Sequence, residues 1–313
     1  MAIYIPNIGE KEALKQILKN NALVLGLYKN QVVPDGNTVF DTLEEMPTGG
    51  GRGYARIETS NDIVETAQTA DKWYMSLNSS GKAEAKYDDS TTTQDWTFAA
   101  ADVADANTVY GIFAFTWVIP FDAGAVEIKV GDSIKGVTSA AAGVVTAIDV
   151  QSGSWGAGTA AGNIYIKSKT GTFQDGESLT IVGKIASVTV VAGGTGYAVG
   201  DIIRPTQTGG SGAKIVVSTI NAGAVTGVVV VEGGTGYSAA TALPTTHLSG
   251  SGADDCTLTI ATLAATVLAT TNTGATADAH KRLMFVEAFT SGQAVTVVGQ
   301  KIAYALKLTL STS

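Results

Sequence analysis

Residues 190–197 read Val-Val-Ala-Gly-Gly-Thr-Gly-Tyr, and residues 230–237 repeat them as Val-Val-Glu-Gly-Gly-Thr-Gly-Tyr. A second stretch, Gly-Ser-Gly-Ala at 210–213, recurs at 250–253 with the same offset of 40 residues. Two matches at one offset indicate a tandem pair of supersecondary units, which we place at about 185–223 and 225–262. Each unit is expected to contain a strand, a glycine-rich turn with its tyrosine, a short strand, a Gly-Ser-Gly turn and a third strand.

Composition extends this prediction to the whole chain. Only 15% of the 313 residues are charged, and 37 are glycine, whereas globular proteins have about 25% charged residues. Low charge, frequent glycine turns and many β-branched residues favour an all-β fold. One segment, residues 10–20, has a helical pattern, because Leu14, Ile17 and Leu18 form an apolar stripe. The sequence therefore predicts an all-β protein with one short N-terminal helix.

The distribution of aromatic residues predicts the domain organisation. Between about Asp122 and Asp278 the chain has one tryptophan and one phenylalanine, Trp155 and Phe173, while the other aromatic residues are concentrated in the flanks. The simplest explanation is a discontinuous β-sandwich base with small β modules inserted into one of its loops. The expected parts are an N-terminal arm with the helix (1–21), the sandwich base (22–122 plus 281–313), an inserted small β module (123–184), the tandem repeats (185–262) and a return linker (263–280).

Charge and targeting signals narrow the classes of partner. The formal net charge of −8 repels phosphate groups, so we expect neither nucleic acid nor an anionic membrane surface as a partner. No apolar stretch of about 18 residues predicts a transmembrane helix. The N-terminus does not resemble a signal peptide, and a single cysteine, Cys256, cannot form an intrachain disulfide. The chain is expected to be made in a cytoplasm.

Residues that carry chemistry are few, and each has a structural interpretation. The turn at 193–197 lacks the Lys-Ser/Thr and the helix that a phosphate-binding loop needs, so it is interpreted as a β-turn or bulge. Residues 49–53, Gly-Gly-Gly-Arg-Gly, are interpreted in the same way as a loop or bulge. His247 and His280 are expected to be exposed loop residues, since no nucleophile motif or zinc-ligand spacing accompanies them. Cys256 is expected to be a buried strand thiol.

Paired carboxylates are the remaining route to an enzyme. Glycoside cleavage needs two carboxylates that face each other, but neighbours on a strand point to opposite faces. We therefore expect solvated acids at Glu44-Glu45, Asp88-Asp89 and Asp254-Asp255. The flank aromatics are expected to form a core rather than a ligand platform; they are Trp73, Trp96, Phe113, Phe115, Trp117, Phe285 and Phe289. No catalytic, cofactor-binding or metal-binding residue is predicted, and the protein is not expected to be an enzyme.

The flanks carry short motifs in a characteristic order. The motifs are Leu25-Gly26-Leu27-Tyr28-Lys29-Asn30, Pro34-Asp35-Gly36-Asn37-Thr38-Val39, Leu43-Glu44-Glu45-Met46, Gly53-Tyr54-Ala55-Arg56-Ile57, Asp95-Trp96-Thr97-Phe98, Val109-Tyr110-Gly111-Ile112-Phe113, Glu287-Ala288-Phe289 and Leu306-Lys307-Leu308-Thr309-Leu310. Their order resembles a family of bacteriophage virion proteins built on a small β-sandwich. The Gly-Gly-Thr-Gly-Tyr repeat is similar to modules of phage tail and decoration proteins. The insertion of residues 123–280 departs from the small members of that family.

This resemblance implies a structural role in a virion. The expected function is a capsid decoration or cement protein that stabilises the shell through contacts between subunits. The expected partners are the major capsid protein or tail subunits, together with further copies of the chain, with a trimer as the expected oligomer. The main alternative is a tail or baseplate component whose inserted modules bind host-surface glycans in an exposed, aromatic-lined groove. A polysaccharide depolymerase is a third hypothesis. The expected location is the virion.

Overall fold

The computed structural model describes residues 7–88, 95–263, 268–270, 281–303 and 306–310. The helices among them are α1 (Asn7–Asn20) and α2 (Ala100–Ala104), with short 3-10 segments at Phe40–Thr42 and Trp155–Ala157. The first strands are β1 (Val24–Tyr28), β2 (Ile57–Glu58), β3 (Ile63–Val64), β4 (Lys72–Leu77), β5 (Ala83–Asp88), β6 (Asp95–Thr97), β7 (Thr108–Gly124), β8 (Ser133–Gly136), β9 (Ala142–Ser152), β10 (Ala160–Thr170) and β11 (Ser178–Ile181). The remaining strands are β12 (Ile185–Ala192), β13 (Ile202–Pro205), β14 (Ser211–Asn221), β15 (Ala224–Thr235), β16 (Ala240–Ser249), β17 (Thr257–Leu263), β18 (Leu268–Thr270), β19 (Lys281–Ala294), β20 (Lys301–Ala303) and β21 (Lys307–Leu310).

The fold is all-β with one short N-terminal helix, as predicted. The chain divides into two compact units. Unit 1 comprises residues 1–119, 165–167 and 278–313, so both chain ends contribute to it. Unit 2 comprises residues 120–164 and 168–277, and it holds both the repeats and most of the segment 123–184 that we expected to be a separate module. In the expected return linker, residues 268–270 form β18, while 264–267 and 271–280 lie outside the described residues.

Strand β7 is central to unit 1. It pairs antiparallel with β1 through Leu25↔Ala114 and with β19 through Leu283↔Phe115. A strand that is covered on both faces must be apolar at nearly every position, and Ile112, Phe113, Ala114 and Phe115 are all fully buried. The other sheets of unit 1 are the four-stranded β21-β5-β4-β3 and the pair β20-β6.

The core of unit 1 includes the N-terminal helix. Leu14 and Leu18 of α1 are buried in the same cluster as Trp73, Trp96 and Ile112, whereas Ile17 is 39% exposed. The helix packs against β4 and β5. Glu10 lies in its first turn and Lys19 in its last, as the helix dipole favours. The described part of the expected N-terminal arm is therefore an integral part of the unit 1 core.

Unit 2 contains the two repeats as one six-stranded sheet in the order β12-β17-β16-β13-β14-β15. The middle strands of the two repeats, β13 and β16, pair with each other at its centre. The first strands are exchanged, because β12 of repeat one pairs with β17 of repeat two and β15 of repeat two pairs with β14 of repeat one. The outermost strands β12 and β15 also contact each other, so the sheet is a nearly closed barrel with approximate twofold symmetry.

Unit 2 also contains a ladder in the order β10-β9-β8-β11-β18. Its turns are fixed by buried carboxylates. Asp132 accepts the Lys129 N–H at 2.9 Å, and Glu177 accepts the N–H groups of Thr138 and Ser139 at 3.1 and 2.9 Å. Among the helices that the structure describes, none combines the length and the apolar composition needed to cross a bilayer.

Candidate functional site

The two Gly-Gly-Thr-Gly-Tyr turns of unit 2 lie where the exchanged strands meet. Tyr197 and Tyr237 are each only 3% exposed. The Tyr197 hydroxyl accepts the N–H of Cys256 at 3.1 Å, and the Tyr237 hydroxyl donates to the carbonyl oxygen of Pro205 at 3.4 Å. Burial raises the pKa of the Tyr237 hydroxyl. Each tyrosine therefore bonds its own repeat to the other repeat.

The glycines in these turns are needed for close approach. Gly194 and Gly234 both have φ of +63°, a conformation that side chains rarely adopt. A Cβ atom on Gly194 would lie 2.2 Å from Asp255 Oδ1, and one on Gly234 would lie 2.2 Å from the carbonyl oxygen of Ser211. These are tight turns that pack against a neighbouring strand.

Residues that occupy equivalent positions in the two repeats are not all 40 positions apart. Tyr197 packs on Gly252, and Tyr237 packs on Gly210, so the equivalent glycines are 42 residues apart in number rather than 40. The backbone nitrogens that lie against the two equivalent turn glycines are Cys256 N at Gly194 and Ala213 N at Gly234, and these two residues are 43 apart. Between these anchors repeat two has Ala253-Asp254-Asp255 where repeat one has Ser211-Gly212. One extra residue and two carboxylates therefore distinguish the first turn from the second.

His247 is not the exposed loop residue that we expected. It lies on β16, its side chain is only 15% exposed, and its ring stacks on Tyr197 with centroids 5.2 Å apart and an interplanar angle of 12°. Its Nε2 accepts the Gly252 N–H at 3.0 Å, and its Nδ1 lies 3.1 Å from Asp254 Oδ1. The polar residues around His247 in the sequence suggested a loop. The prediction was wrong because the aromatic ring that covers His247 belongs to Tyr197 of the other repeat, which is distant in sequence.

Two carboxylates hold the first turn in place. Asp255 accepts the N–H of Thr195 at 2.8 Å and its hydroxyl at 2.9 Å. Asp201 accepts the N–H groups of Ala198 and Ser251 at 3.0 and 3.3 Å. The pKa of Asp255 is lowered first by the Thr195 N–H, and the pKa of Asp201 first by the Ala198 N–H. Both groups therefore stabilise the turn as carboxylate anions.

The second turn borders an open groove within unit 2. The groove has a volume of about 420 Å³, which is within the range of ligand sites. Its lining combines the backbone at Ser211-Gly212 and 233–235 with apolar and charged side chains, which are Val126, Val130, Val231, Glu127, Lys129, Asp132, Lys184 and Glu232. Val231 is therefore exposed at the rim of this groove. The aromatic-lined groove of the glycan-binding alternative is not what the described lining provides, since no aromatic residue is among these.

The adjacent carboxylates have separate partners. Glu44 pairs with Lys29 at 2.7 Å, whereas Glu45 accepts bonds from Tyr54 and from Arg56. Asp254 bonds His247, and Asp255 bonds Thr195. Neither of these two pairs forms a shared acid–base site. Asp89, and the side chain of Asp88, lie outside the described residues.

The flank aromatics form core, as predicted. Trp73, Trp96, Phe113, Phe115 and Trp117 are buried, and Phe285 and Phe289 pack against the unit 1 core. Phe113 and Phe115 receive the edge of Phe40, with ring centroids 5.3 and 5.4 Å apart. The Arg56 guanidinium lies over the Phe115 ring at 5.4 Å and the Lys281 ammonium over the Phe40 ring at 4.3 Å, which adds cation–π contacts.

The remaining candidate residues have structural surroundings. Cys256 is a fully buried free thiol, as expected, but it lies immediately before β17 rather than within a strand, and burial raises its pKa. Residues 49–51 form an exposed turn with positive φ, and Gly53 donates its N–H to Asp102 at 2.7 Å. Within the described ranges, no three His, Cys, Asp or Glu side chains gather as a metal-binding group. His280 lies outside the described residues.

Sequence reasoning identified the two turns but missed their partners. The one trace of the His247 stack in the sequence is the pair Asp254-Asp255, which places β17 further along the chain than the offset of 40 predicts. This difference can be recognised only when the contact between Tyr197 and Gly252 is known.

Comparisons with protein-family models, with curated proteins and with solved structures found no match to this chain.

Proposed function

We propose that this chain is a structural protein of a bacteriophage particle, a capsid decoration or cement protein that adds contacts between shell subunits. The polar groups most suited to chemistry hold the fold together: Asp255 secures a turn, His247 stacks on Tyr197, and Glu45 bonds Tyr54 and Arg56. Such an arrangement suits a mechanical role, in which a rigid surface is the useful product.

One observation carries the proposal. On the outer surface of β12 and β15, the valines Val191, Val229 and Val231 are 54–60% exposed. β12 and β15 contact each other, and exposed apolar side chains on neighbouring strands are typical of protein–protein contact surfaces. The valine surface, as we call these three residues, provides apolar area that a shell subunit would remove from water.

The first test is cryo-electron microscopy of the intact particle. We expect density for this chain to repeat over the icosahedral shell. Density confined to the tail or baseplate would overturn the decoration role, and absence of the chain from purified particles would overturn any virion role. The expected partner is the major capsid protein, and the expected location is the virion.

A second test addresses the contact surface. The double variant Val229→Asp, Val231→Asp should reduce co-sedimentation of the protein with particles that lack it, because charge at the contact must be desolvated. Val150→Asp is the matched control, since Val150 is an exposed valine of unit 2 on β9, outside the valine surface. Equal loss in both variants would show that the valine surface has no special role.

The proposed oligomer is a trimer of this chain, because symmetric oligomers present repeated contacts to a repeated surface. Sedimentation-velocity centrifugation of the purified protein over a concentration series measures this state. A species of three chains is expected, and a monomer at all concentrations would contradict it.

The second candidate function is a tail or baseplate component whose inserted segment binds host-surface glycans. The observation that favours it is the groove in unit 2, which opens beside the second glycine turn and carries charged side chains. A glycan array probed with the purified chain distinguishes the candidates, since a cement protein needs no glycan affinity.

A further inference from the structure

The two repeats place different groups at equivalent positions around their turns. In the first turn, the carboxylate of Asp255 accepts both the N–H and the hydroxyl of Thr195. The equivalent threonine of the second turn is Thr235, whose hydroxyl has only a long contact of 3.4 Å to the carbonyl of Val182. Gly212 stands where the first turn has Asp254-Asp255, so it brings no carboxylate to Thr235.

A lysine replaces an alanine on the opposite side of the second turn. A Cβ atom on Gly193 would lie 3.1 Å from Ala224, whereas one on the equivalent Gly233 would lie 2.7 Å from the side chain of Lys184. Relative to the first turn, the second has therefore lost the carboxylates of Asp254 and Asp255 and gained the ammonium of Lys184, while Glu232 stands where the first repeat has Ala192. The groove of unit 2 occupies this space, since Gly212, Lys184 and Thr235 all line it.

The position of the Lys184 ammonium is fixed by its neighbours. Its Nζ donates to the carbonyl oxygen of Glu127 at 2.9 Å and lies 3.8 Å from Asp132 Oδ2. A lysine ammonium has three N–H donors, so the bond to the carbonyl of Glu127 leaves donors of Lys184 for a ligand. Glu232 is neutralised by Lys214 at 3.0 Å, which limits its repulsion of an anion.

From this comparison we propose that the groove binds a carboxylate-bearing sugar, whose carboxylate takes the place that Asp255 fills in the first turn. Thr235 and Lys184 recognise the carboxylate, and the backbone and acids of the remaining lining receive the sugar hydroxyls. A volume of about 420 Å³ accommodates one or two sugar rings. The carboxylate of Asp255 in the first turn and the carboxylate of the ligand in the second turn thus occupy equivalent positions.

This inference deepens the second candidate function and rests on it for its biological setting. Binding in solution, however, is independent of where the chain sits in a particle. Tail placement without sugar binding would refute the inference alone, and sugar binding with density over the shell would refute only the tail assignment.

The test uses the full chain with two matched sugars, D-glucuronate and D-glucose, which differ in the carboxylate. Saturation-transfer NMR and calorimetric titration should show glucuronate binding in the millimolar range and glucose binding about tenfold weaker or more, as expected for loss of a charged hydrogen bond. Equal affinity for the two sugars, or no binding of glucuronate, would overturn the proposal.

Two variants locate the site. Gly212→Asp places a carboxylate beside the second turn, at a φ of +72° that aspartate tolerates, and it should compete with the ligand and lower glucuronate affinity about tenfold or more. Lys184→Met should have a similar effect. Lys135→Met is the matched control, because Lys135 is exposed on β8 and outside the groove.

Each variant is first compared with the wild type by thermal unfolding and circular dichroism. Wild-type glucuronate affinity in a folded Gly212→Asp variant would contradict the proposed position of the carboxylate. If Lys184→Met does not fold, Gly212→Asp alone decides the question. Loss of affinity in Lys135→Met as well would place the effect outside the groove and overturn the assignment.

Discussion

The rings of Tyr197 and His247 are stacked nearly parallel, with centroids 5.2 Å apart. Tyr197 belongs to the turn of the first repeat and His247 to the middle strand of the second. His247 also accepts the Gly252 N–H and contacts Asp254, so a single imidazole joins three segments. The contact explains why a histidine in polar sequence is mostly buried.

His247→Ala should therefore destabilise unit 2. The change removes the stack and leaves the Gly252 N–H without its acceptor, a loss of about 1–3 kcal/mol in the free energy of unfolding. Leu248→Ala is the control, because the side chain of Leu248, the next residue along β16, is exposed. Its loss should lower the free energy of unfolding by about 0.5 kcal/mol or less. Urea denaturation measures both, and equal effects would contradict a specific role for the stack.

The N-terminal helix offers a test with adjacent residues. Leu18→Ala should cost about 2–5 kcal/mol, because Leu18 is fully buried in the unit 1 core. Ile17→Ala should cost about 1 kcal/mol or less, since Ile17 is substantially exposed. Chemical denaturation monitored by tryptophan fluorescence makes the comparison. An unchanged stability in Leu18→Ala would indicate a detached arm.

Gly26 is required by close packing on β1. A Cβ atom there would lie 2.3 Å from Cζ of Phe113 and 2.9 Å from the Tyr54 hydroxyl oxygen. Gly26→Ala should thus destabilise unit 1 by about 1–3 kcal/mol. Gly36→Ala is the matched control, because no atom lies within 4 Å of the position that its Cβ would take and its φ is not positive. Thermal unfolding of both variants gives the answer, and equal stabilities would refute the steric argument.

Glu177 should make the stability of unit 2 depend on pH. Burial by itself raises the pKa of this carboxyl, but the N–H and hydroxyl of Ser139 and the N–H groups of Gln174 and Thr138 outweigh it and hold the pKa below its ordinary value. A carboxyl with a lowered pKa in the folded state stabilises the fold above its unfolded pKa of about 4.3. That contribution is lost as the pH falls through the folded pKa.

Hydrogen exchange around residues 133–141 and 173–181, measured as a function of pH, checks this dependence. Protection factors, which correct the observed exchange for the slower intrinsic exchange of amides at lower pH, should fall below about pH 4 in the wild type. Glu177→Gln should show faster exchange at neutral pH and a flatter dependence, whereas Glu127→Gln, an exposed acid of the same unit, should follow the wild type. The interpretation fails if Glu177→Gln retains the wild-type pH profile.

Local pattern predicted the secondary structure well and the pairing of distant segments poorly. The apolar stripe of Leu14 and Leu18 identified α1, because the burial of one helix face leaves a direct trace in the spacing of apolar residues. The 40-residue offset identified the repeats. No local signal, however, shows that β12 pairs with β17, since strand exchange uses the same apolar surfaces as pairing within one repeat.

The polar groups were harder to predict for the same reason. Asp255 and His247 are ordinary residues in their own sequence neighbourhoods, and their partners Thr195 and Tyr197 lie at least 50 positions away. The groove beside Gly212 exists because Ser211-Gly212 is one residue shorter than the equivalent stretch Ala253-Asp254-Asp255. The effect of this shorter stretch can be seen only when the two turns are compared in three dimensions.

The exchange of first strands between the repeats also determines when unit 2 can form during synthesis. β12 begins at Ile185, but its partner β17 ends at Leu263. Both repeats must therefore leave the ribosome before β12 can pair with β17. A nascent chain that ends after repeat one exposes the unpaired valines of β12 and β14. The two repeats are thus translated in sequence but fold as one event, and premature termination between them leaves an aggregation-prone product.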